Sequence, residues 1–117
     1  ARLNLLVLRS ADMERLASFY SALGIKFERH RHGKGPEHLS GDTGSLVLEI
    51  YPTAENASCW PEPRIGFSVA DMSEAMTALE SIGIETQSQP KSSPWGLRAV
   101  VRDFDGRKVE LLEAESS

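Results

Sequence analysis

The stretch Ala11-Asp12-Met13-Glu14-Arg15-Leu16-Ala17-Ser18-Phe19-Tyr20-Ser21-Ala22-Leu23-Gly24-Ile25 decides the fold, because its skeleton returns further along the chain. Ala11-Asp12-Met13 recurs as Ala70-Asp71-Met72, 59 residues on, and the same offset carries Gly24-Ile25 onto Gly83-Ile84. Between these anchors Met13, Leu16, Tyr20 and Leu23 match Met72, Ala75, Leu79 and Ile82 in kind. Steps of three, four and three place such residues on one helix face. Asp12 and Asp71 stand where an N-cap belongs, with Glu74 completing a capping box, and Gly24 and Gly83 stand where a left-handed C-terminal cap belongs.

Strand-like segments surround each helix. Leu3 to Leu8 and Ile65 to Val69 precede the helices; Ile25 to Arg31, Pro36 to Ser40 and Ser45 to Tyr51 follow the first, and Ile84 to Ser88, Leu97 to Arg102 and Lys108 to Glu113 the second. Gly41-Asp42-Thr43-Gly44 and Asp103-Phe104-Asp105-Gly106 supply turns between the last two strands of each half. Glu49 and Glu110 correspond at an offset of 61. The expected class is α+β: two tandem βαβββ modules whose curved mixed sheets surround a cleft. The first module spans residues 1–52, a proline-bearing linker 53–63, and the second module 64–117, all within one domain of 117 residues.

Composition narrows the function. Hydrophobic residues make up 40% and charged residues 26%, as in a globular protein. Thirteen Lys and Arg against 17 Asp and Glu give a net charge of −4, so no global field draws the chain to nucleic acid or anionic lipid. Leu5 to Leu8 is too short an apolar run for a membrane span or a signal-peptide core, and the chain reads as cytoplasmic. One cysteine, Cys59, excludes an intrachain disulfide and a multi-thiolate metal site. A lone half would leave one apolar sheet face and its edges uncovered, which points to pairing of modules and a homodimer.

The doubled module, the Asp before each helix, Phe19-Tyr20, and Asp103-Phe104-Asp105-Gly106 followed by Val109-Glu110-Leu111 resemble the vicinal oxygen chelate superfamily of glyoxalases, extradiol dioxygenases and bleomycin-resistance proteins. The resemblance implies a metal on four strand positions, usually His on the first strand of each half and Glu on the last. Carried over, these are Leu5, Arg64, Glu49 and Glu110. Only the glutamates match, since Leu5 has no lone pair and Arg64 is a permanent cation. No cofactor is therefore expected; a divalent metal weakly held by Glu49 and Glu110 is the alternative. The Arg64 guanidinium is expected to fill the metal's place and bridge a glutamate. His30 and His32 share a strand face and His38 lies on the next segment, but the string around them is basic and Gly-rich, as at a solvated hairpin end.

Pro94-Trp95-Gly96-Leu97-Arg98 is similar to the Pro-Trp-Gly-x-Arg segment of bleomycin-resistance-type members, which lack the metal and sequester cationic planar drugs in a groove at a two-fold interface. Trp offers a flat apolar face and carboxylates attract a cation. The resemblance thus implies a small-molecule-binding protein, of the resistance type, with Glu49, Tyr51, Arg64, Trp95, Arg98 and Glu110 lining its cleft and Trp60 a weaker candidate. Two other readings stay open: a metal-dependent lyase, isomerase or dioxygenase acting on a small oxygenated substrate, and a dimerising module without a ligand. No catalytic residue is assigned.

Overall fold

The computed structural model describes residues 3–53, 64–86 and 88–114. Two compact units emerge, Ala1–Cys59 and Trp60–Ser117. The first contains β1 (Leu5–Ser10), α1 (Met13–Ala22), β2 (Phe27–His30), β3 (His38–Asp42) and β4 (Val47–Pro52). The second contains β5 (Ile65–Ser68), α2 (Met72–Ser81), β6 (Lys91–Ser93), β7 (Gly96–Arg102) and β8 (Lys108–Glu113). The strand order is β1-β4-β3-β2 in one sheet and β5-β8-β7-β6 in the other, and neither sheet closes into a barrel. In each unit the first strand runs parallel to the last and the remaining pairs are antiparallel. This is the expected α+β pair of βαβββ modules.

The helix ends explain the repeat. Asp12 accepts from the Arg15 amide and Asp71 from the Glu74 amide, each at 3.1 Å. At the far ends Gly24 and Gly83 take φ of 99° and 93°, a conformation cheap only for glycine. The amides of Ile25 and Ile84 then reach back to the carbonyls of Tyr20 and Leu79, while those of Gly24 and Gly83 reach Ser21 and Glu80. Both helices thereby close with the same two-bond C-terminal motif, and Ile25 and Ile84 are buried beneath it.

That burial corrects two expected strand limits. Ile25 and Ile84 belong to the caps, so β2 begins only at Phe27, and the strand expected over 84–88 is replaced by β6 at Lys91–Ser93. The turn expected at Gly41 to Gly44 moves as well: β3 continues through Asp42, and Thr43 closes the bend by donating its amide to the Leu46 carbonyl at 2.9 Å.

One face of each sheet packs on its helix. Leu8, Leu39, Leu48 and Ile50 meet Leu16, Phe19 and Tyr20 of α1, whose two rings stand edge to face at 4.9 Å. Val109 and Leu111 of β8 pack against α2, whose Met72, Met76 and Leu79 are buried, as is Val101 of β7. Each fully buried aliphatic side chain contributes roughly 1.5–3 kcal/mol. Glu113 adds a polar tie, accepting the Met72 amide at the start of α2 at 2.9 Å. The other face of each sheet remains to carry function.

Candidate functional site

Register assigns the open faces. In the first unit Val7 lies beside Glu49 and Arg9 beside Tyr51, Ser40 lies across from Glu49, and Glu28 and His30 lie across from Ser40 and His38. In the second, Gly66 lies beside Glu110 and Ser68 beside Leu112, with Val100 and Arg98 across from those two residues and Lys91 across from Arg98. The repeat therefore places His38 and Arg98 at equivalent positions, 60 residues apart, while β4 and β8 correspond at 61.

Each of these third-strand residues faces the glutamate of its own unit. Arg98 Nε donates to Glu110 Oε1, with the two side chains 37% and 34% exposed. His38 Nε2 lies 3.5 Å from Glu49 Oε2, with the side chains 2% and 18% exposed. The cation beside Glu110 is thus Arg98, where Arg64 was expected; Arg64 is exposed just before β5 and makes no ion pair among the described residues. Sequence reading missed both pairings, because their signal lies in strand register, with offsets of 59, 60 and 61 along one repeat.

The surroundings of the two pairs differ. The His38 ring stacks on Tyr51 with centroids 4.3 Å apart and planes 9° apart, and the Arg9 guanidinium sits 5.8 Å from the Tyr51 centroid. The rings of His32 and His30 come within 5.3 and 6.2 Å of His38. His38 Nδ1 lies 3.3 Å from the Pro36 carbonyl, an acceptor, so that contact requires the hydrogen on Nδ1. Nε2 is buried without a hydrogen bond.

In the second unit, Leu112 replaces Tyr51 and Gly66 replaces Val7, and among the described residues no ring stacks on Arg98. An open cavity of about 670 Å³ results, lined by Gly66, Phe67, Ser68, Ser93, Trp95, Arg98, Glu110 and Leu112. Its rim is the β6–β7 turn. Ser93 Oγ donates to the Gly96 carbonyl at 2.6 Å and accepts from the Trp95 amide at 3.2 Å, holding an indole that is 71% exposed. Gly96 has φ 132°, and a Cβ there would lie 2.3 Å from the Glu113 carbonyl oxygen, so the turn demands glycine.

Of the residues expected in the cleft, Trp95, Arg98 and Glu110 share this cavity, whereas Glu49 and Tyr51 belong to the first unit and Arg64 is not in the lining. Trp60 and Cys59 lie outside the described residues. Asp103-Phe104-Asp105-Gly106 is structural: Asp103 Oδ1 accepts the amides of Asp105 and Arg107 at 2.9 and 3.0 Å, and the buried Arg107 guanidinium pairs with both aspartates.

A doubled βαβββ module with paired glutamates on its last strands defines a class of scaffold, and the sequence agrees with the geometry. The chain belongs to the Glyoxalase/Bleomycin resistance protein/Dioxygenase superfamily, whose family model matches residues 2–111. No curated protein matches it. Among solved structures, it is similar to TnmS3, an antibiotic binding protein from Streptomyces sp. CB03234, at 19% identity and a TM-score of 0.74, over 98% of this chain and 97% of that one. It is also similar to TioX from Micromonospora sp. ML1, at 20% identity and 0.73, over 98% and 100% of the chains. A glyoxalase family protein from Enterococcus faecalis matches at 23% identity and 0.73, over 96% and 97%. At these identities the likeness shows the fold.

Many members of such a scaffold hold a metal, and the residues here do not fit one. Val7 and Gly66 flank the two glutamates, and Leu5 and Arg64 stand one pleat earlier. None of these four offers the imidazole that gives a transition metal its affinity at such a site, and Glu110 is already paired with Arg98. Among the described residues no group of three His, Cys, Asp or Glu is arranged to hold a metal ion. Nor is any described helix long and apolar enough to cross a membrane.

Proposed function

We propose that this protein binds a small organic molecule without a metal and sequesters it rather than transforming it, in the manner of a resistance protein, in the cytoplasm. The observation that carries the reading is the cavity of the second unit, which a largely exposed Trp95 and the partly exposed Arg98–Glu110 ion pair line together. The turn fixes the Trp95 backbone, and a flat ring with only two side-chain torsions presents apolar area at a small entropic cost on binding. The antibiotic-binding neighbour TnmS3 supports the same reading by fold.

We further propose that the working form is a homodimer. Leu3, Leu5 and Val7 are exposed at and before β1, and a second copy would cover such a row. Sedimentation decides this, and a monomer at high micromolar concentration overturns it. The binding reading is tested by following the Trp95 indole N–H resonance while planar aromatic compounds are screened. Saturable shifts are expected, together with binding heats that weaken in Trp95→Ala. One equivalent of zinc, nickel or iron in the purified protein, or no saturable shift from any compound, would sink the reading.

A further inference from the structure

The charges on the second unit's open face run against those of the whole chain. By register that face carries Lys91, Arg98, Arg102 and Lys108 against one carboxylate, Glu110, because Glu113 points to the helix side and is held by the Met72 amide. The first unit's open face is the reverse, with Glu28, Asp42 and Glu49 against Arg9. A net charge of −4 therefore conceals a local basic field around the cavity.

Within that field Arg98 is held in a particular way. Its Nε is taken by Glu110, which fixes the plane of the guanidinium, and among the described residues neither terminal nitrogen has a hydrogen-bond partner. Glu110 in turn is neutralised by its partner and offers little pull to a cation. A guanidinium anchored through Nε still presents donors from both terminal nitrogens, the geometry that matches a planar oxyanion. Gly66 contributes empty space, since a Cβ there would only just touch Glu110 at 3.9 Å.

Resting on the binding reading above, we propose that the cavity selects planar aromatic ligands that carry a carboxylate, with the ring on Trp95 and the oxyanion on the terminal nitrogens of Arg98. This is the opposite charge preference to the one implied by paired carboxylates alone. The ordering cost at the site is small, because Glu110 already orients the guanidinium and the Ser93 turn fixes the backbone that carries Trp95.

Two probes of matched shape separate the possibilities: naphthalene-2-carboxylate and 2-naphthylmethylammonium, titrated calorimetrically into the full chain at pH 7.5 and low salt, with the Trp95 indole resonance as reporter. The carboxylate is expected to bind at least tenfold tighter than the ammonium. Arg98→Gln should erase that preference, Arg98→Lys should keep part of it, and Glu110→Gln, which keeps an oxygen to accept from Nε but leaves the guanidinium's charge uncompensated, should tighten the carboxylate a few-fold. Trp95→Ala should weaken both probes alike. If Arg98→Gln does not fold, Arg98→Lys and Glu110→Gln decide the matter. Equal or tighter binding of the ammonium, with the indole resonance still moving, overturns the charge selection and leaves the binding reading standing. Failure of both probes to move the indole overturns both.

Discussion

The two units share one backbone plan and use it in opposite ways. In the first, His38 faces Glu49 beneath a stack with Tyr51, and the position is sealed. In the second, Arg98 faces Glu110 beside Leu112 and Gly66, and the position opens into a cavity. A ring in place of an aliphatic chain, Tyr51 where the second unit has Leu112, accompanies the difference: His38 is buried under its stack, whereas Arg98 borders a cavity. Topology positions a basic group opposite a carboxylate in both units; side-chain volume decides which pair is available to a ligand.

The sharpest way to break that contrast is at the turn that carries Trp95. Gly96→Ala forces a Cβ against a backbone oxygen at a positive φ, and the expected loss is about 3 kcal/mol or more. Denaturant titration measures it, and a loss near zero would mean that the turn is not fixed. Next comes the pair of equivalent residues. His38→Ala removes a buried ring and should cost about 2–3 kcal/mol. Arg98→Ala removes a partly exposed ion pair and should cost under about 1 kcal/mol. Equal losses at the two positions would erase the distinction between sealed and open.

Two smaller tests sharpen what the units share. Asp12→Ala and Asp71→Ala each remove one N-cap bond of the same length and should each cost about 1 kcal/mol. A marked inequality would show that the helices contribute unequally. A double-mutant cycle between Arg98 and Glu110 should give a coupling of about 0.5–1 kcal/mol that shrinks in high salt. The corresponding cycle between Arg64 and Glu110 should give none, and a larger value there would restore the pairing expected from sequence.

How far the molecule can be read from its residues depends on the range of the signal. Helix caps are local, so Asp12, Asp71, Gly24 and Gly83 announce the repeat outright. The β8 strand is equally plain because Val109 and Leu111 alternate with Lys108 and Glu110. The strand before β7 is not, because the apolar Ile84 that suggested it is consumed by the C-terminal cap of α2, leaving polar Lys91–Ser93 to form β6 through backbone pairing and the Ser93 hydroxyl. The candidate site was legible in type but not in pairing. Trp95, Arg98 and Glu110 stand out as residues, yet that Arg98 rather than Arg64 meets Glu110 follows from antiparallel register, which no local spacing encodes.

The repeat changes offset from strand to strand, 59 between β1 and β5, 61 between β2 and β6, 60 between β3 and β7 and 61 between β4 and β8, and this has a consequence for recombination between the halves. Strands alternate their faces with period two, so a crossover made inside β4 and aligned by the offset of β3 slips by one residue. Such a slip turns Leu48 and Ile50 outward and Glu49 into the core. Exchange between modules is therefore tolerable only where the chain changes offset, in the connectors, and a symmetric protein built from two second units would need its joints there. Each half would travel intact, bringing its own glutamate pair and its own choice of packed or open face.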